Sequence, residues 1–184
     1  MLVQPTKINA WVKGCIIFLL ISLPLWLSKH NPYTFLPDTV FTTITGQKVA
    51  LKDLHGKPAI ITFWATTCPS CVKEIPHLIE LHEKFHPQGI EIIAIAMNYD
   101  PPNRVVNMTQ ERKLPYHVVL DITGNYAKAF GHVWATPTTL LINGNGDVSK
   151  RILGPFNLKD VESRIEHLLQ VKTAFFRSIK KNTG

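Results

Sequence analysis

Cys68 and Cys71, separated by Pro69 and Ser70, are the residues of this chain whose type and spacing could do chemistry. Two thiols at that spacing can close into a disulfide and reopen, which is two-electron thiol–disulfide exchange. An inert stapling bridge is the alternative, but closing so short a loop restricts the unfolded chain very little. Glu74 follows Cys71 by three residues and would share its helical face. A carboxylate there could exchange a proton with the Cys71 thiol if burial raised its pKa toward neutrality. It could equally be a solvated first-turn acid facing the helix dipole.

The pair sits where an apolar run, Ala59–Trp64, meets an amphipathic one carrying Val72, Ile75, Leu78, Ile79 and Phe85. A strand running into a helix places Cys68 at the helix N-terminus. Unpaired N–H groups and the dipole there favour a thiolate. Pro69 suits the first turn, having no N–H to lose, and Pro76 predicts a kink. His86–Pro87–Gln88–Gly89 ends the helix. Around this unit the sequence predicts a hairpin (39–43 and 47–51) and an apolar central strand over 90–97. Helices follow over 101–113 and 124–130, with a short strand at 118–120 between them. A second hairpin (138–142 and 148–153) turns through Asn143–Asp147, and a closing helix spans 158–170. That order indicates an α/β domain with a mixed sheet over 38–171.

The net charge of +7 is not spread over that domain. Lys7, Lys13 and Lys29 lie in residues 1–37 without an acid, and Lys172, Arg177, Lys180 and Lys181 lie in 172–184 without one. The excess is confined to the ends, so residues 38–171 are balanced. No basic face or recognition motif accompanies it, which argues against nucleic-acid binding. Basic ends beside an apolar segment suit an anionic membrane surface. Gly14–Leu27 carries no charge, and extending it back to Ala10, with Lys13 snorkelling to the interface, gives 18 residues, about 27 Å of helix. The reading is an uncleaved signal anchor over 11–27, with Trp11 and Trp26 near its ends, a short cytoplasmic N-terminus over 1–10, and a linker over 28–37. A cleaved signal and a buried helix are the alternatives. The small excess of positive charge before the segment places the N-terminus inside. The protein is then a single-pass inner (cytoplasmic) membrane protein with its domain in the periplasm or outside. Cys15, the third cysteine, lies in the apolar run, badly placed to meet the other two or to serve as a lipoprotein cysteine. The tail over 172–184, with Phe175, Phe176 and Ile179, reads as an extension of the last helix or a short amphipathic surface segment.

Phe63–Trp64–Ala65, Cys68–Pro69–Ser70–Cys71, Glu74, Pro76 and Thr136–Pro137, in this order of elements, resemble the thioredoxin fold. More closely they resemble its membrane-anchored TlpA/ResA/DsbE-type branch, over about residues 36–170. The N-terminal hairpin suits that branch, as does a segment inserted after the 90–97 strand. The resemblance implies that Cys68 is the nucleophile and Cys71 the resolving cysteine, which agrees with Cys68 being nearer the helix end. It implies a catalytic role for Glu74, a cis peptide at Thr136–Pro137, and a substrate surface of Trp64, Thr67, Pro69, Thr136 and Pro137. Protein thiols and disulfides would be the substrates, with a membrane or envelope electron donor. No cofactor and no metal are expected. The leading role is reductive, with apocytochrome c a candidate substrate in cytochrome c maturation. Oxidation or isomerisation of envelope disulfides is the runner-up, and a tethered binding module the non-enzymatic alternative. Two positions depart from the pattern. Thr62 stands where thioredoxins bury an aspartate, and Thr67 where the family usually has tryptophan.

Rival chemistries fit less well. His82–Glu83–Lys84–Phe85–His86 matches HExxH, which in zinc hydrolases aligns two ligands and a base. Here Pro87 ends the helix at once, and no third ligand stands out beyond His117 or His132. Thiol peroxidases need a threonine where Ala65 stands, and copper-handling relatives space their cysteines three apart rather than two.

Overall fold

Ala59–Trp64 is buried at every position, and in the computed structural model this run is β3, the middle strand of a five-stranded sheet. The structure describes Trp11 and residues 39–54 and 56–182. An N-terminal hairpin of β1 (Val40–Thr42) and β2 (Lys48–Ala50) precedes β3. After it come β4 (Glu91–Ala96), β5 (His117–Leu120), β6 (Thr138–Ile142) and β7 (Val148–Leu153). The sheet order is β5-β4-β3-β6-β7; β3, β4 and β5 are parallel, and β6 and β7 join antiparallel. This is the mixed sheet expected of a thioredoxin fold.

Alternation along β3 divides the core into two. Ile60 and Trp64 point to the face covered by α1 (Pro69–Phe85), α2 (Pro102–Glu111) and α4 (Leu158–Asn182), through Leu78, Leu81, Val105 and Val161. Ile61 and Phe63 point to the other face, covered by the hairpin and α3 (Asn125–Ala129), through Phe41, Leu51, Ala127 and Phe130. With both faces covered, a strand has no reason to alternate with polar residues. The hairpin also shields the β5 edge: Thr43 bridges Val119, and the Ile44 amide donates to the Val118 carbonyl at 2.9 Å.

Helix α1 continues through Pro76 as one element. An interior proline costs about 3 kcal/mol, but Ile75, Leu78, Leu81 and Phe85 of this helix are buried, each stabilising by about 1.5–3 kcal/mol. Packing wins. The helix gives way to a 3₁₀ turn, His86–Gln88, closed by Gly89 at φ 91°, where a side chain would be strained. The final helix outruns the predicted end at residue 170, its backbone remaining helical to Asn182.

The chain divides into two units, Met1–Pro32 and Tyr33–Gly184, and the fold above belongs to the second. The expected anchor over 11–27 (Trp11 apart), the 1–10 segment, the linker over 28–37 and Cys15 lie outside the described residues. Among the described residues no helix is long and apolar enough to cross a membrane.

Candidate active site

The end of β3 and the start of α1 set the two cysteines in unlike surroundings. Cys68 is the N-cap, with extended backbone (φ −94°, ψ 106°), and Pro69 follows in the first turn. The Cys71 amide donates to Cys68 Sγ at 3.2 Å, so the sulfur takes up one of the helix's otherwise unpaired N–H groups. Cys68 and Cys71 form a disulfide with their Cα atoms 5.3 Å apart. Cys68 is partly exposed, whereas Cys71 is buried in the cluster of Trp64, Ile75 and Leu78. An attacking sulfur at the surface and a resolving one beneath it is the asymmetry that exchange chemistry needs.

Facing Cys68 is the loop before β6, where the Thr136–Pro137 peptide is cis. The Thr136 carbonyl oxygen lies 3.6 Å from Cys68 Sγ, and the Ser70 hydroxyl lies 3.3 Å from the same sulfur. Pro137 is buried, its carbonyl accepting from the Gly154 amide at 2.8 Å, and the Thr138 hydroxyl donates to the Ala135 carbonyl at 2.7 Å. The loop is thereby tied on both sides of the proline. Thr67 and Pro69 are exposed beside Cys68. Trp64 is a correction to the expected substrate surface. It is 4% exposed and packs in the core with Cys71. The β3 alternation turns it inward, and its indole Nε1 has no hydrogen-bond partner among the described residues.

Glu74 is 4% exposed. Its Oε1 accepts a hydrogen bond from the Phe156 amide at 2.6 Å, which ties α1 to the segment leading into α4. Burial raises its pKa to about 7, against a smaller lowering by the Phe156 amide. A carboxyl titrating near neutrality, one helical turn from Cys71, can hold or release a proton in the working range. The solvated alternative is excluded by its burial. Thr62, at the position where thioredoxins carry an acid, is also buried; its hydroxyl pairs with that of Thr139 across the sheet at 3.1 Å. That pair is hydrogen-bonded but carries no acid.

Asp100 is the residue that sequence reasoning missed. It is 4% exposed and accepts from both the Thr66 amide and the Thr66 hydroxyl, each at 2.6 Å. This clamp fixes the turn that delivers Cys68 to the helix. The available signal was its place just beyond the C-terminal end of a buried parallel strand, where sites of open α/β sheets collect. Tyr99, its neighbour, is exposed and places its hydroxyl 3.3 Å from Thr136 Oγ1.

The HExxH residues lie at the other end of α1. The His82 and His86 rings stack with centroids 4.5 Å apart, so their faces meet rather than their nitrogens converging on one point. Glu91 Oε2 approaches His86 Nδ1 at 3.8 Å and His117 Nε2 at 3.6 Å. Among the described residues no group of three or more His, Cys, Asp or Glu is arranged to hold a metal ion.

Comparison with known proteins agrees with this geometry. A family model described as Redoxin matches residues 33–169. The thiol-disulfide oxidoreductase ResA of Geobacillus thermodenitrificans (strain NG80-2) is 33% identical over 132 residues, covering 72% of this chain and 75% of that protein. A thioredoxin-family thiol:disulfide interchange protein of Chlorobium tepidum TLS superposes with a TM-score of 0.68 at 28% identity, covering 74% of this chain and 96% of that one. StoA from Bacillus subtilis gives 0.60 at 25% identity, covering 69% and 98%.

Proposed function

This chain belongs to the Redoxin family, as a thiol-disulfide oxidoreductase of the TlpA/ResA/DsbE type, and from that premise we propose that it works as a reductase of protein disulfides. The observation that carries the direction is what surrounds Cys68 Sγ. Its contacts are the Ser70 hydroxyl, the Cys71 amide and the Thr136 carbonyl oxygen, none of them a cation. Strong oxidants of this fold owe their potential to a stabilised reduced form. Here the Thr136 carbonyl oxygen works against a thiolate and partly offsets the Cys71 N–H and the helix N-terminus, and Pro69–Ser70 adds no charge. Among the described residues the reduced form therefore lacks the cationic stabilisation of a strong oxidant, which supports a dithiol that donates.

In the reduced protein the Cys68 thiolate attacks one sulfur of a substrate disulfide and expels the other as a thiolate, which takes a proton from water. Cys71 then loses its proton to Glu74 and attacks Cys68 Sγ, expelling the second substrate sulfur as a thiolate, which is protonated from water as Glu74 returns its proton to solvent. Two electrons leave the protein, and the Cys68–Cys71 disulfide returns. A membrane or envelope dithiol donor would reduce it again. We place the domain outside the cytoplasmic membrane on an anchor over 11–27, as the charge pattern of the N-terminal segment suggests, with oxidised protein thiols, including those of apocytochrome c before haem attachment, as the substrate class. Equilibration of Cys68–Cys71 with dithiothreitol or glutathione tests the direction. A potential near −270 mV is expected, and one near −120 mV would overturn the reductase reading.

A further inference from the structure

We infer that Tyr99 and Trp134 form the polypeptide-reading rim of this site, selecting substrate disulfides whose cysteines are flanked by apolar or aromatic side chains. The inference rests on the exchange reading above and specifies its substrate. A disulfide attacked by Cys68 must bring its neighbouring residues over the loops around that sulfur. At the position before Cys68 this chain has Thr67 rather than an aromatic residue, and Trp64 is buried, so the strand–helix turn offers no large apolar contact.

The two flanking loops do. Trp134, two residues before Thr136, is 79% exposed, and Tyr99, between β4 and α2, is 57% exposed. Tyr99 reaches the site directly, its hydroxyl 3.3 Å from Thr136 Oγ1, while the Thr136 carbonyl sits 3.6 Å from Cys68 Sγ. Asp100, the next residue after Tyr99, is anchored to Thr66, so the turn carrying the cysteines and the loop carrying Tyr99 are held together. Thr67 and Pro69 on the turn and Tyr99 and Trp134 on the two loops are exposed and carry no charge. Two exposed rings on a fixed frame suit an extended apolar segment, because rings contribute large contact area at low entropic cost.

The test compares disulfides that differ only in their flanks. Protein pre-reduced with a small dithiol is reacted with hydroxyethyl disulfide and with two disulfide-bridged peptides, one with phenylalanine beside each cysteine and one with glycine. Trp134→Ala and Tyr99→Ala are each expected to slow the phenylalanine peptide by about tenfold while leaving hydroxyethyl disulfide within about twofold. Tyr99→Phe should keep the peptide rate, and Thr67→Trp should recover part of the loss in Trp134→Ala. Equal losses on all three substrates, or none on the phenylalanine peptide, would overturn the rim. So would a loss in Tyr99→Phe as large as in Tyr99→Ala, since the hydroxyl rather than the ring would then matter. If the unaltered protein reacts with none of them, the exchange reading fails by itself. Binding of the alkylated phenylalanine peptide, followed by tryptophan fluorescence against Trp134→Ala, still decides whether the rim engages it.

Discussion

The two ends of α1 carry the two motifs of this sequence, and only one of them becomes a site. At the N-terminal end, Cys68 caps the helix, Cys71 lies buried beneath it, Glu74 is shut in against Phe156, and the Thr136 loop faces the sulfur. Elements from both halves of the sheet converge there. At the C-terminal end, His82 and His86 stack on each other, His86 is exposed, and the Glu91 carboxylate approaches His86 and His117 at ion-pair distances of 3.8 and 3.6 Å. Equal spacing along a helix puts side chains on one face. Chemistry needs a second element to close over that face and exclude water.

Several substitutions test that contrast. The largest effect is expected from Cys71→Ser, which should reduce turnover of a disulfide substrate to background and leave Cys68 trapped in a mixed disulfide, visible as a mass adduct. Cys68→Ser should remove turnover without trapping. A variant that kept turnover would dissolve the distinction between the two ends.

Glu74→Gln comes next. An acid whose pKa rises from 4.5 to about 7 on folding favours the native state most below pH 4.5 and loses that contribution as pH climbs through 7. Chemical denaturation should therefore show the oxidised protein weakening between those values, by about 2 kcal/mol after allowance for solvent screening. Glu74→Gln should lack this component of the slope over the window, and its exchange rate should lose the inflection near pH 7. An unchanged rate profile would remove Glu74 from the proton path while leaving its bond to Phe156 as structure.

Asp100→Ala should cost about 1 kcal/mol, because the Thr66 amide and hydroxyl lose their acceptor. It should also slow exchange through a loosened Cys68 turn, read from the same denaturation and rate measurements. Smallest of all, His82→Gln with His86→Gln is expected to move stability by no more than about 0.5 kcal/mol and leave exchange untouched. Stoichiometric zinc in the purified domain, lost in that double variant, would make the C-terminal end a metal site and erase the contrast.

What the sequence made legible follows the range of the interactions. The strand–CxxC–helix unit, both hairpins and the alternation that splits the core are local patterns. β3, β6 and β7 begin and end where periodicity and the Asn143–Asp147 turn predict. The contacts that define the site are not local. Asp100 meets Thr66 across 34 residues and Glu74 meets Phe156 across 82, and no spacing rule announces either. Trp64 misled for a related reason. Its nearness to Cys68 in sequence suggested a shared surface, while the two-residue period of β3 sends it into the core.

The Thr62–Thr139 pair also bears on how this sequence can drift. Each hydroxyl has the other as its hydrogen-bond partner, in a place where both residues are almost fully buried. Replacing one threonine with valine strands the remaining hydroxyl, whereas replacing both preserves shape and leaves no orphan. Acquiring an aspartate at 62 alone would set a carboxylate against a single hydroxyl in the dry core. A proton carrier on β3 would therefore bring a desolvation cost that the paired hydroxyls avoid.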